Sequence, residues 1–167
     1  MLKEKVLKKL NAQVTAEQYA SNLYLTMSAW CYDKGLNGSA KFLSMQAREE
    51  SQHMYRLFNY INETGCMALV GAIDAPPSKF KDLKDIFEQT YQHELFITSK
   101  INELVELTLK EKDYSSFNFL QWYVAEQHEE EALFKGILDR IEVIGLEGRG
   151  LFLLDQEIGR IVPAQNR

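Results

Sequence analysis

The sequence predicts an all-α protein, a four-helix bundle with one long crossover and a short fifth C-terminal helix. Apolar residues recur at the 3.6-residue helical spacing through four long stretches. Of three prolines in 167 residues, Pro76 and Pro77 both fall in one aperiodic segment, Gly65 to Lys81. Every other connection between the periodic stretches is short.

The first helix, expected over about 3–34, carries Val6, Leu10, Val14, Ala20, Met27 and Cys31, and stops where Gly35, Asn37 and Gly38 break the pattern. The second, over about 39–64, carries Leu43, Ala47, Met54, Leu57 and Ile61 and ends at Thr64-Gly65, with glycine placed as a helix terminator. The third, over about 82–110, starts at Asp82, an acceptable N-cap, and carries Leu83, Phe87, Ile97, Ile101 and Leu104. The fourth, over about 114–144, carries Phe117, Leu120, Phe134, Leu138 and Ile141 and stops at Gly145. The fifth, over about 149–162, places Leu151, Leu154, Ile158 and Ile161 on one side and is ended by Pro163.

Loop length then sets topology. The first two helices and the last two long ones are antiparallel neighbours. Roughly sixteen extended residues reach about 50 Å at ~3.3 Å each, enough to return along a helix of about 40 Å. The second and third helices can therefore run parallel within a single domain over 1–167, although a disordered linker between two hairpins would satisfy the same pattern.

Composition bounds the function. With 46% hydrophobic and 26% charged residues the chain can bury a sizeable core. A net charge of −5 without a basic tail or stripe argues against nucleic acid. Met1 to Leu10 interleaves four lysines with apolar residues and has no signal-peptide pattern, and no apolar run reaches membrane-spanning length. Cys31 and Cys66 suggest neither a thiolate site nor a disulfide. A reducing cytoplasm is the expected setting.

The informative feature is that each long helix interrupts its apolar stripe near the middle with a residue able to hold a metal. On the first helix the inward positions are 10, 14, 17, 20/21 and 24, so Glu17 and Tyr24 share a face two turns apart. On the second, Glu50 interrupts the series 43, 47, 50, 54, 57 and 61, and His53 lies one turn on. On the third, Glu94 is the centre of 83, 87, 90, 94, 97, 101 and 104. On the fourth, read as 117, 120, 124, 127, 131, 134, 138 and 141, Gln127 lies in the stripe with Glu130 turned inward beside it. Glu126 and Glu129 flank Glu130, and Glu49 can join them from the second helix, which outlines a secondary cation site.

No lysine or arginine occupies the neighbouring inward positions. Converging carboxylates in a low-dielectric interior cost several kcal/mol each unless they take up protons or share cations. Four or more oxygens with one imidazole favour cations. Such a donor set suits iron or manganese and also accepts zinc. His93 and His128, about 100° from the inward face, read as surface residues; Trp122 reads as packing, and Tyr24 as either core or chemistry.

At these residues the chain resembles the bacterial non-haem ferritins, from Met1 to about Ile161. The resemblance rests on Glu17 with Tyr24, on Arg48-Glu49-Glu50-x-x-His53, on Tyr91-x-His93-Glu94, and on Phe117-Asn-Phe-Leu-Gln-Trp122-Tyr-Val-x-Glu126-Gln127-His-Glu129-Glu130-Glu. It implies a ferritin-like fold and a ferroxidase that binds two iron(II) ions per subunit, oxidises them with dioxygen and deposits iron(III) mineral for storage and detoxification. One iron would be held by Glu17, Glu50 and His53. Glu50 would bridge to a second on Glu94 and Glu130, with Gln127 nearby. A third iron site would use Glu49, Glu126, Glu129 and Glu130, while Tyr24 and Trp122 would supply electrons or hydrogen bonds. A homo-oligomeric shell of twenty-four subunits is implied.

Haem is not expected, because Gln127-x-x-Glu130 stands where haem-binding bacterioferritins carry a second Glu-x-x-His and Ser51 stands at their haem-ligating methionine. DNA-protecting mini-ferritins build the site between subunits and lack this fifth helix. Outside the resemblance, the same carboxylate layer would serve a di-iron oxygenase, which needs a substrate pocket, or a metal buffer without turnover.

Overall fold

The computed structural model describes residues 2–162. It consists of α1 (Glu4–Asp33), α2 (Asn37–Glu63), α3 (Leu83–Lys110), α4 (Tyr114–Ile144) and α5 (Arg149–Gly159), with no strand among the described residues. Pro163 lies outside the described residues.

Cross-helix partners fix the directions. Ser21 donates to the carbonyl of Ala47 and Ser28 to that of Ala40, so α1 and α2 are antiparallel. Tyr123 donates to the carbonyl of His53 and Tyr60 bonds Ser116, so α2 and α4 are antiparallel. Thr98 meets Glu131 while Lys84 meets Glu142, which makes α3 and α4 antiparallel too. The second and third helices are therefore parallel. The crossover between them is pinned rather than a loose linker: the Leu69 amide donates to Asn11 Oδ1 at 2.7 Å, and Phe80 packs edge-on against Trp30.

Helix ends follow local chemistry. Asp82 caps α3 by accepting from the Asp85 amide, and Asp113 caps α4 by accepting from Ser116. Gly65 (φ 79°) and Gly145 (φ 78°) take the left-handed backbone that ends α2 and α4. The start of α2 is different. Its N-cap, Leu36, offers no side-chain acceptor, and the cap comes from α5: Asp155 accepts from the amides of Gly38 (2.9 Å) and Ser39 (2.8 Å) and from the Ser39 hydroxyl. This remote cap lets α2 begin at Asn37, ahead of the expected 39. The fifth helix ends at Gly159, short of the expected 162, where three-residue backbone bonds from Arg160 to Glu157 and from Ile161 to Ile158 close its last turn.

The stripe of α4 also differs from expectation. Ser116, Leu120, Tyr123, Gln127, Glu130, Phe134, Ile137 and Ile141 are buried, whereas Val124 is 38% exposed and Phe117, Glu131 and Leu138 are half-buried. Apolar residues flank this stripe on both sides, so periodicity alone leaves its centre undetermined. The Tyr123 hydroxyl, which reads as polar, is instead satisfied inside by the His53 carbonyl at 2.7 Å.

Two apolar clusters fill the bundle. One gathers Tyr24, Met27, Phe42, Phe87, Phe134 and Ile137 with Leu154 and Ile158 of α5. The other gathers Val6, Leu10, Leu57, Ile61, Ile101, Leu104 and Leu120. A polar layer separates them.

A Cβ at Gly38 would lie 1.9 Å from the Asp155 carbonyl oxygen, a backbone atom that cannot step aside. Gly38→Ala should therefore cost about 1–3 kcal/mol and release α5. Amide exchange across residues 149–159 should accelerate selectively, and unchanged protection there would contradict the remote-cap account.

Candidate metal centre

The polar layer is built from one turn of each long helix. Glu17 from α1, Glu50 and His53 from α2, Glu94 from α3, and Gln127 and Glu130 from α4 are all buried. Among the described residues, Glu17, Glu50 and His53 each offer one ligand atom, and the three atoms lie within 4.8 Å of one another. The His53 Nδ1 sits 3.2 Å from Glu50 Oε2, and its Nε2 sits 3.8 Å from Glu126 Oε1.

Glu94 and Glu130 are tied to other partners. Tyr24 donates its hydroxyl to Glu94 Oε1, and the Gln127 amide donates to Glu94 Oε2 at 3.0 Å. Glu130 accepts from Gln46 Nε2 at 3.1 and 3.3 Å. Glu17 Oε1 accepts from Gln13 Nε2 at 2.8 Å. Sequence reasoning missed both Gln13 and Gln46. A detectable signal existed, since each lies four residues before a site glutamate on the same helix face.

The unpartnered atoms identify what the layer lacks. Glu17 Oε2, Glu50 Oε1, Glu49 Oε2 and Gln46 Oε1 are buried and accept no hydrogen bond from the described residues. All four are acceptors. A buried oxygen without a donor costs about 1–3 kcal/mol, and a cation satisfies several at once. Burial accordingly raises the carboxyl pKa values of Glu17, Glu50, Glu94 and Glu130, reinforced by their mutual charges at Glu17, Glu50 and Glu130. Tyr24 is raised as well, by burial and then by Glu94, so the phenol stays protonated and donates.

Beyond the layer, Glu49 and Glu126 are half-buried and Glu129 is exposed. Burial pushes Glu49 up to about 7 and also raises Glu126. Glu129 makes no hydrogen bond or ion pair among the described residues, and its charge adds to burial in raising Glu126. Trp122 packs edge-on against His53, with ring centroids 5.3 Å apart, and carries the Arg56 guanidinium over its face at 4.3 Å. His128 is exposed, as expected. His93 is not a free surface residue: it is shielded among Tyr19, Tyr24 and Phe96, its Nε2 is buried without a partner, and burial lowers its pKa to about 4. The three rings cover an imidazole whose helix angle alone suggested solvent.

Raised acid pKa values make the cation-free fold sensitive to base. A carboxyl held above its unfolded value of 4.5 stabilises the fold fully below that pH, and the contribution is lost as pH rises through the folded pKa, about 7 for Glu49. The melting temperature of cation-free protein should fall between roughly pH 4.5 and 7, and Glu49→Gln should shallow that fall. A melting temperature that rises across this window, or identical slopes for the two proteins, would refute the assignment.

Comparison with known proteins places this geometry. Residues 7–144 match the Ferritin family, described as a ferritin-like domain. A probable bacterial non-heme ferritin-like protein of Haemophilus influenzae is 59% identical over 161 residues, covering 96% of this chain and 98% of its own. A bacterial non-heme ferritin of Campylobacter jejuni is 53% identical over the full length of both chains. The solved open-pore ferritin of Archaeoglobus fulgidus superposes with a TM-score of 0.94 at 38% identity, over 96% of this chain and 98% of its own. Identity of this extent, over a bundle with the same fold, makes the chain a member of the ferritin-like family, of the bacterial non-haem ferritin kind.

Proposed function

We propose that this protein is an iron-storing ferroxidase: it binds two iron(II) ions in the polar layer, oxidises them with dioxygen and passes iron(III) to a mineral held inside a homo-oligomeric shell. The observation that carries the reading is the set of orphaned buried oxygens, Glu17 Oε2 and Glu50 Oε1 above all, beside the His53 imidazole and with no lysine or arginine of the described residues in the layer. Membership of the ferritin-like family supports iron as the cation.

In this reading Glu17, Glu50 and His53 hold the first ion. Glu50 has one oxygen on His53 and the other free, so it can bridge to a second ion on Glu94 and Glu130, with Gln127 fixing Glu94. Two adjacent iron(II) ions each give one electron, so dioxygen takes up two electrons and two protons in one encounter and superoxide is not released. Tyr24, a buried hydrogen-bond donor on Glu94, can supply a further hydrogen bond or electron. Oxidised iron leaves toward Glu49, Glu126 and Glu129, which extend the acid series from the layer to the surface. The shell of twenty-four subunits is part of the same reading, as is a cytoplasmic setting; among the described residues no helix is long and apolar enough to cross a membrane.

The test is an anaerobic iron(II) titration of metal-free protein followed by aerobic mixing, with near-ultraviolet and visible absorbance and particle size recorded. About two irons oxidised per chain on a large spherical particle is the expected result. Glu50→Ala should slow the fast phase to on the order of a hundredth or less, because the sole bridging ligand is lost. An unchanged rate in that variant would sink the site assignment, and bound but unoxidised iron on a small oligomer would sink the ferroxidase.

A further inference from the structure

Three buried glutamines surround the layer, and each gives its amide N–H to a different site carboxylate: Gln13 to Glu17, Gln46 to Glu130 and Gln127 to Glu94. Gln127 is already among the site residues. Gln13 and Gln46 belong to no assigned site, and both are buried, Gln46 completely so. From this geometry we infer that Gln13 and Gln46 are positioning residues, Gln13 setting the first cation position through Glu17 and Gln46 setting the second through Glu130. The inference rests on the proposed site.

The hydrogen-bond pattern carries the argument. Gln13 occupies Glu17 Oε1 and leaves Oε2 as the buried free oxygen, so it selects which oxygen of Glu17 is presented. Gln46 spans both oxygens of Glu130 from the opposite helix, holding that carboxylate toward α2. Its own carbonyl is left buried and unpartnered as a consequence. Turning the amide over would set three acceptor oxygens against one another, so the bond to Glu130 determines its orientation. A carboxylate has about four lone-pair sites; after one amide bond it retains the capacity to bind a cation, now from a fixed direction.

Neutral donors suit this task better than charged ones. A lysine or arginine in either place would also anchor the carboxylate, but its charge would repel an incoming cation. Glutamine orients without adding charge. Outer partners of this sort typically change metal affinity by about 10–100-fold when removed.

The experiment replaces each amide by a side chain of similar volume with no donor, Gln13→Met and Gln46→Met, and follows cobalt(II), which is redox-silent here and visible through its d–d absorption, in anaerobic titrations of the assembled protein. Wild type should take up two equivalents in resolvable steps. Gln13→Met should weaken the step that carries the nitrogen-ligand spectrum by about 10–100-fold and leave the other intact; Gln46→Met should do the reverse. Each variant is thereby the folding control for the other, with melting temperature and particle size recorded alongside. The inference is overturned if neither step moves, or if both variants weaken both steps equally. If wild type itself binds no cobalt pair, the site reading falls and takes this one with it, an outcome distinct from unshifted variants on an intact wild-type titration.

Discussion

Most of this structure can be understood from one constraint: at least four carboxyl groups are buried in one layer of the bundle, with no lysine or arginine among them in the described residues. Ionised together they would cost several kcal/mol each. The layer answers with neutral donors, the amides of Gln13, Gln46 and Gln127 and the phenol of Tyr24, which satisfy some of the oxygens and leave others bare. The guanidinium of Arg56 lies on the face of Trp122. Filling the interior with a lysine or arginine would have removed the need for a cation, and with it the chemistry.

The constraint also explains the division of the core. Apolar clusters above and below the layer exclude water and hold the four helices in register, so that residues far apart in sequence meet to within a few Å. Register depends on a few bonds across helices. Tyr123 donates to the His53 backbone, fixing α4 against the element that carries two of the ligands, and Ser21 donates to the Ala47 carbonyl one turn before Glu50. Apolar packing alone would allow small slides between helices; these buried polar bonds oppose them.

Much of this was legible in the sequence. The stripes of α1, α2 and α3 contain little but apolar residues and a single acidic interruption each, so Glu17, Glu50 and Glu94 stand out from periodicity alone. The stripe of α4 was less legible, because Val124 and Leu138 offer an alternative apolar line beside Tyr123 and Ile137. Gln127 and Glu130 were found inside it even so, through their spacing. The glutamines at 13 and 46 were passed over for a different reason: their four-residue spacing from Glu17 and Glu50 is visible, but a glutamine one turn from a glutamate normally marks a solvated face, and burial shows these two to be interior. His93 was misread because its shielding comes from Tyr19 on another helix, which no pattern within α3 can reveal. The cap of α2 by Asp155 is likewise a long-range fact, supplied across more than a hundred residues of chain.

Burial falls in steps along the α2–α4 side of the layer. Glu50 is enclosed, Glu49 and Glu126 are half-buried, and Glu129 faces solvent. In the proposed site, an ion held by Glu50 and His53 would meet oxygens of increasing exposure on this side, with Glu126 within 3.8 Å of the far nitrogen of His53. Above and below, the clusters offer no carboxylate among the described residues, only apolar side chains and the hydroxyls of Tyr24 and Tyr123, both already engaged as donors. On the proposed reading this asymmetry would set a direction: an ion whose charge has risen, and whose hydration has become more favourable, would lower its free energy by moving toward the wetter carboxylates. Half-burial raises the carboxyl pKa of both Glu49 and Glu126, that of Glu49 to about 7, so a cation approaching either acid would favour its ionised form. Glu129, exposed and close enough for its charge to raise Glu126, is the wettest acid of this series.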